Sequence, residues 1–131
     1  DGKAINLYLG GEPMGDPGKA TGEISLVWSY DYGTSYGDNN GPFAIGYSAG
    51  GRHLNGYVSE FRVWRVARTP AQLLNNICYV DPKTEGLVAY WRFCGTDQQE
   101  DGSILDQTGH GYNAVARSSA PAWIPNHKCP Y

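Results

Sequence analysis

Charged residues are scarce in this sequence, and basic residues are scarcer than acidic ones. Only 18% of the 131 residues are charged, whereas 40% are hydrophobic and 13% are aromatic. This balance excludes a disordered chain, which would be rich in charge and poor in aromatic residues. The net charge of −3 gives no basic footprint for nucleic acid and no polybasic stretch for an anionic membrane. No apolar run approaches the ~20 residues of a membrane-spanning helix.

Glycine and proline are abundant, at 18 and 8 residues. Because they cost about 1 and 3 kcal/mol inside a helix, the composition disfavours long helices and favours turn-rich β structure. Apolar alternation and β-branched or aromatic runs predict six strands: residues 4–9, 23–30, 43–47, 57–66, 87–93 and 112–116. One short helix is predicted after Thr69, since Pro70 suits its first position and Gln72 completes a capping box.

No strand–helix–strand rhythm recurs along the chain, so we expect antiparallel sheets. Short strands separated by glycine-rich turns are typical of an all-β sandwich or jelly roll. The strand at 57–66 carries bulky residues on both faces, with Phe61 and Val63 on one and Val58, Trp64 and Val66 on the other. We therefore expect this strand to be covered on both sides.

The three cysteines, Cys78, Cys94 and Cys129, allow at most one intrachain disulfide. Two interpretations remain open: a Cys94–Cys129 bond that holds the tail, or three free thiols. No Cys-x-x-Cys or Cys/His spacing suggests zinc.

Several segments, in this order, resemble laminin-G-like and concanavalin-A-like lectin/glucanase domains. The main one is 56–64, Gly-Tyr-Val-Ser-Glu-Phe-Arg-Val-Trp, followed by Ala-Arg-Thr at 67–69. The others are Leu-Tyr-Leu-Gly-Gly at 7–11, Phe-Ala-Ile-Gly at 43–46, and Gly-Leu-Val-Ala-Tyr-Trp-Arg-Phe at 86–93 with Asp-x-x-Gly-x-Gly from Asp106. Ser59 and Gly10 depart from the family's usual Asp and Asp or Asn.

The resemblance implies a single antiparallel β-sandwich domain over residues 1–131 that lacks its N-terminal strands. Domains of this family carry further strands before the segment that 7–11 resembles. We expect these strands upstream or on a separate chain; the alternatives are a self-contained domain or a dimer formed through an open edge. The chain begins at Asp1, without a leader, so we expect either a removed leader or more protein upstream.

The best ligand candidate is the polar loop that follows the second strand. Sugar faces are weakly apolar and stack on aromatic rings, while carboxylate and amide groups bind hydroxyls; loops also carry function more often than strands. The candidate ligand-binding residues are Tyr30, Tyr32, Tyr36, Asp38, Asn39 and Asn40. The alternative is an ordinary long turn whose tyrosines pack on its own surface.

A second candidate is an acidic loop that could hold calcium, a cation that takes six to eight oxygen ligands. Its carboxylates are Asp97, Asp101 and Asp106, and laminin-G-like folds often bind calcium at sandwich edges. The spacing does not match an EF-hand. The alternative is a solvated loop in which Asp106 caps the turn at Thr108 and Gly109.

Glu60 and Arg62 lie two residues apart, hence on the same strand face. We interpret them as an ion pair that orders the strand. A retaining glycosidase would need a second carboxylate nearby, and Phe, Arg, Val and Trp follow Glu60 instead. We assign no catalytic residue.

Together these features predict non-catalytic carbohydrate binding by a secreted or cell-surface protein, at an extracellular, cell-surface or periplasmic location. Two alternatives from other classes remain: a glycoside hydrolase of the same fold with its carboxylates upstream, and a protein–protein adhesion module. We expect no nucleic-acid partner and no membrane insertion.

Overall fold

The computed structural model describes residues 4–10, 24–31, 43–46 and 54–116, the first two ranges by their backbone. Over these residues the chain forms strands β1 (Ala4–Gly10), β2 (Ile24–Asp31), β3 (Phe61–Trp64) and β4 (Leu87–Trp91). Helix α1 spans Pro70–Asn75, and a short 3-10 turn spans Gly95–Asp97. All strand pairing within these ranges is antiparallel and helix is sparse, as expected for an all-β chain.

Strands β1 and β2 form a two-stranded antiparallel sheet. Ile5 pairs with Tyr30 and Leu7 with Trp28, and a bulge follows Leu7. The predicted strands over 4–9 and 23–30 are thus confirmed. Because directly opposed residues share a face of the sheet, the apolar positions of the two strands coincide before the bulge, whereas after it Leu9 is opposite Ser25. β2 also lies beside α1.

Strands β3 and β4 form a second two-stranded antiparallel sheet, in which Phe61 pairs with Trp91 and Val63 with Ala89. β3 is shorter than the predicted strand over 57–66. It begins at Phe61 because Glu60 has a left-handed backbone, with φ of 55°, which interrupts an extended chain. Phe93, beyond the other strand at the same end of the ladder, has φ of 56°.

Two apolar clusters flank the β3–β4 sheet, so β3 has apolar contacts on both sides, but Val66, predicted on the Trp64 face, lies beyond the strand and is 46% exposed. The Tyr90 cluster contains Val80, Leu87 and Tyr90, with Trp64 packed against it. The Trp91 cluster contains Ala89, Trp91 and Ile104, packed by Ile45, Phe61, Val63, Phe93 and Ala114. The predicted division of β3, with Phe61 and Val63 facing away from Trp64, is confirmed.

Two predicted strands are not formed. Residues 43–46 are irregular, with Gly46 at φ of +73°. In 112–116, Ala114 makes only an isolated bridge with Ile104, since Gly111 at φ of +86° bends the chain just before it. Both segments nevertheless supply apolar residues to the Trp91 cluster.

The helix start is as predicted. The Thr69 side chain accepts from the Gln72 N–H, and the Gln72 side chain accepts from the Thr69 N–H, which completes the capping box. The helix ends at Asn75, before the predicted Ile77, and Asn76 forms its C-cap. The predicted start depends on local contacts alone, which is why it is accurate.

Replacing Gly86 by alanine is expected to lower the free energy of unfolding by about 3 kcal/mol. Gly86 has φ of +84°, and an added Cβ would lie 2.7 Å from Cγ2 of Val66. Left-handed backbone costs ~1–2 kcal/mol at a residue with Cβ, and overpacking adds ~1–3 kcal/mol. Urea denaturation measures the change.

Gly102 supplies a matched control for this substitution, since it has φ of +82° but nothing lies within 4 Å of an added Cβ. Gly102→Ala should therefore show only the backbone cost, about 1 kcal/mol. Val66→Ala combined with Gly86→Ala should recover part of the larger loss. Equal losses at the two glycines would contradict the steric argument.

Candidate functional site

The predicted ligand-binding residues begin at the end of β2. Tyr30 is the seventh residue of that strand, and its backbone pairs with Ile5. The other five, Tyr32, Tyr36, Asp38, Asn39 and Asn40, lie outside the described residues. The loop therefore remains a sequence-based prediction, placed directly after a paired strand.

The three carboxylates predicted to bind calcium all have protein partners. Arg92 binds Asp97 with two nitrogens, one to each carboxylate oxygen. Asp101 is exposed, and one of its oxygens accepts from the Ser103 N–H at 2.9 Å and from its hydroxyl at 2.6 Å. Asp106 is buried in a larger network. No group of three or more His, Cys, Asp or Glu suited to a metal ion occurs among the described residues, so calcium binding stays a prediction.

Asp106 is the centre of a buried polar network between β4 and the turn that follows. Oδ1 accepts from the Tyr90 N–H at 3.1 Å and the Thr108 N–H at 3.0 Å, and Oδ2 accepts from the Tyr112 N–H at 3.3 Å. The Thr108 hydroxyl lies 2.8 Å from both oxygens. The carbonyl of Asp106 also accepts from the Gly109 N–H. The alternative interpretation of a solvated loop capped by Asp106 is right about the cap, but Asp97 and Asp106 are each only 2% exposed.

These contacts decide the charge of Asp106. Burial by itself would raise the pKa of the carboxyl, but hydrogen bonds from Thr108, Tyr90 and Tyr112 outweigh that effect and hold the pKa below its ordinary value of 3.8. The group is therefore an anion at neutral pH, and hydrogen-bond donors stabilise its charge.

Glu60, Arg62 and Tyr90 form a second largely buried network. Arg62 and Glu60 form a salt bridge in which each side chain is 11% exposed. The Tyr90 hydroxyl donates to the same Glu60 oxygen, and the Arg62 guanidinium lies over the Tyr90 ring, 4.9 Å from its centroid. Arg62 also donates to the carbonyl of Asn76 at the end of α1. The predicted ion pair of Glu60 and Arg62 is confirmed, but Glu60 precedes β3 with a left-handed backbone, so the two residues do not share a strand face as predicted.

The hydroxyl of Tyr90 is a hydrogen-bond donor at all physiological pH values. Burial and the hydrogen bond to Glu60 raise the pKa of Tyr90 to about 12. Sequence reasoning assigned no role to Tyr90. The sequence placed Tyr90 beside Trp91 in the strand predicted over 87–93. It gave no sign that Tyr90 contacts Glu60, because Glu60 lies 30 residues earlier in the chain.

Cys94 is buried and disulfide-bonded, whereas Cys78 is a free, exposed thiol. The prediction of three free thiols is therefore wrong. Cys129, the partner that the other interpretation gives Cys94, lies outside the described residues.

The described elements define an antiparallel β protein in which two ion pairs, Glu60–Arg62 and Arg92–Asp97, lie near the second sheet. Within these elements no helix has the length and apolar character needed to cross a membrane. No protein-family model and no curated protein matches the chain.

A solved structure similar to the chain is the crystal structure of a putative carbohydrate binding protein from Bacteroides ovatus. The two are 38% identical, with a TM-score of 0.55. The match covers 68% of this chain and 29% of the other. The chain thus spans less than a third of the length of that protein.

Proposed function

We propose that this chain is a carbohydrate-binding module that holds a glycan without cleaving it. The observation that carries the proposal is the similarity to the Bacteroides ovatus protein, at 38% identity over 68% of this chain. That protein is described as a putative carbohydrate binding protein, which supports a carbohydrate as the ligand of this chain. The antiparallel sheets are compatible with this proposal.

The proposal includes the finer fold, a β-sandwich of the laminin-G-like or concanavalin-A-like kind. Two observations support it. The β3–β4 sheet carries apolar clusters on both faces, as inner strands of layered β proteins do. The ion pair of Glu60 and Arg62 lies inside the segment that resembles the family, where it orders a strand end.

The proposed contact loop follows β2, where Tyr32, Tyr36 and Asp38 would stack on a sugar ring and bind its hydroxyls. A single shallow site of this kind should bind weakly, with Kd on the order of 10⁻³–10⁻⁵ M. Glu60 takes no part in this proposal, because its carboxylate is occupied by Arg62 and Tyr90. We also propose that the protein is secreted and has an extracellular, cell-surface or periplasmic location.

The experiment is a glycan array on the folded chain, followed by titration calorimetry with the best glycan. We expect saturable binding to one glycan class and a loss of about ten-fold or more in affinity for Tyr32→Ala or Tyr36→Ala. A blank array from protein shown to be folded by circular dichroism would overturn the proposal and favour an adhesion module.

Calcium binding at Asp97, Asp101 or Asp106 is proposed only as an accessory to this function. The carboxylate oxygens of Asp97 and Asp106 already accept hydrogen bonds from Arg92 and from backbone N–H groups. These contacts do not fit a calcium site built from the three side chains. Repeating the titration in EDTA tests it: unchanged affinity and an unchanged melting temperature would remove calcium from the proposal.

The domain boundary is also a proposal. N-terminal strands supplied upstream or by a separate chain would complete the sandwich, and the greater length of the Bacteroides ovatus protein is compatible with this. Size-exclusion chromatography with light scattering tests the alternatives, since a stable monomer of this chain would contradict a need for a second polypeptide.

A further inference from the structure

Three aromatic rings are in contact along the Trp91 cluster, and a fourth aromatic residue is joined to them through its backbone; the sequence did not assign this set. The Phe43 and Phe61 ring centroids are 5.9 Å apart, and those of Phe61 and Trp91 are 6.2 Å apart. Trp91 Nε1 donates to the carbonyl of Tyr112 at 2.8 Å. We call Phe43, Phe61, Trp91 and Tyr112 the aromatic row.

The residues at the two ends of the row are exposed, whereas Trp91 between them is buried. Phe43 is 66% exposed and Tyr112 is 56% exposed, whereas Trp91 is only 6% exposed. The backbone of Tyr112 is fixed at both of its polar groups, by Asp106 at the N–H and by Trp91 at the carbonyl. The Phe43 ring therefore lies exposed against the Phe61 ring, and the Tyr112 backbone is held in place, which reduces the ordering cost of binding.

Polar groups accompany the exposed end at Tyr112. Asn113 is exposed, and its Oδ1 accepts from the Asp106 N–H at 3.0 Å, which leaves its amide hydrogens as donors. An apolar ring beside an amide and a phenol hydroxyl suits a sugar, which has an apolar face and a rim of hydroxyls.

The row also continues the proposed contact loop. Phe43 lies three residues after Asn40, the last of the predicted ligand-binding residues. Every member of the row, and Asn113, is uncharged, and the neighbouring Arg92 is paired with Asp97. The row itself therefore provides no free cation for a uronate or sulfate group.

We propose that Phe43 and Tyr112, the exposed ends of the aromatic row, are stacking positions for a neutral glycan. This inference rests on the proposed function and adds to it a second set of contacts and a ligand class. Phe43 and Tyr112 would stack on sugar rings, and Asn113 would donate to their hydroxyls.

The test is affinity electrophoresis in gels that contain soluble neutral polysaccharides (xyloglucan, galactomannan, arabinoxylan or mixed-linkage β-glucan), with polygalacturonate and heparin as acidic probes. Phe43→Ala and Tyr112→Ala should each weaken retardation by a neutral glycan by about ten-fold, as truncation of a binding hot spot does. Val115→Ala is the matched control, because Val115 is 78% exposed and lies outside the row. Its affinity should stay within about two-fold of the parent chain.

The outcomes separate this inference from the proposed function. If Tyr36→Ala abolishes binding while Phe43→Ala and Tyr112→Ala retain it, the row is overturned and the proposed function stands. If folded parent chain binds no glycan, both fail. Retardation by the acidic probes alone overturns the neutral ligand class. Self-association that Phe43→Ala abolishes, without glycan binding, would make the row a protein interface instead.

Discussion

Replacing Asp106 by alanine is expected to lower the free energy of unfolding by about 4 kcal/mol, because several buried donors lose their acceptor at once. The carboxylate accepts from the N–H groups of Tyr90, Thr108 and Tyr112 and from the Thr108 hydroxyl. Tyr90 is fully buried, and Asp106 and Thr108 are each 2% exposed, so water cannot readily replace the lost contacts. Urea denaturation followed by tryptophan fluorescence measures the change.

Asp101 provides the matched control, since it holds a similar turn at the surface. Its carboxylate accepts from the N–H and hydroxyl of Ser103 two residues later, as Asp106 does with Thr108, but Asp101 is exposed. Asp101→Ala should lower the unfolding free energy by only about 1 kcal/mol, since Ser103, 4% exposed, loses an acceptor but the carboxylate itself is exposed. Similar losses in the two variants would show that turn geometry, rather than the buried network, carries the effect.

We expect the stabilisation that Asp106 contributes to the folded chain to decrease as the pH falls. Its pKa is lowered in the folded chain relative to the ordinary value of 3.8, so the stabilisation is complete above that value. As the pH falls below it, the unfolded state binds a proton first and the stabilisation declines until the folded pKa is reached. Thr108→Val, which removes one donor to Asp106, should reduce this pH dependence, whereas an unchanged profile would contradict the assignment.

The features that could be predicted from sequence are those fixed by neighbours in the chain. The capping box of Thr69 and Gln72 spans three residues, and the turn at Asp106 is equally local. Apolar alternation likewise located β1 and β2. In each case the residues that determine the structure lie within one short window.

The features that could not be predicted depend on distant partners. The strand over 57–66 was expected to be continuous, but Glu60 turns left-handed where its carboxylate meets Tyr90, 30 residues along the chain. Asp106 reaches the N–H of Tyr90, 16 residues before it. No periodicity in the sequence reports either contact.

In the candidate site, too, the features set by neighbouring residues could be predicted, and those set by distant residues could not. The contact loop at 30–42 was inferred from composition, because tyrosines, aspartates and asparagines are adjacent in sequence. Phe43 and Tyr112 were placed in predicted strands, so their exposure at the surface was not foreseen. Only the ring contact of Phe43 with Phe61 and the Trp91–Tyr112 hydrogen bond bring the two segments together.

Replacing Arg62 by methionine is expected to lower the free energy of unfolding by about 3 kcal/mol, since breaking a buried ion pair costs ~3–5 kcal/mol. The variant keeps most of the side-chain volume but leaves the Glu60 carboxylate, 11% exposed, without its cation. It also removes the contact with the Tyr90 ring and the hydrogen bond to Asn76 that joins α1 to the sheet. Arg65→Met, at an exposed position in the same segment, should cost less than about 0.5 kcal/mol.

The double variant Glu60→Gln with Arg62→Met distinguishes loss of charge pairing from loss of packing. Glu60→Gln alone should cost about 1 kcal/mol, because a neutral amide still accepts from the Tyr90 hydroxyl. If the unpaired carboxylate is the main penalty, Arg62→Met should cost about 1–2 kcal/mol less in the Glu60→Gln background than in the parent chain. An identical cost in both backgrounds would mean that Arg62 acts through Asn76 and the Tyr90 ring, and that the pairing with Glu60 adds nothing to the stability of this sheet.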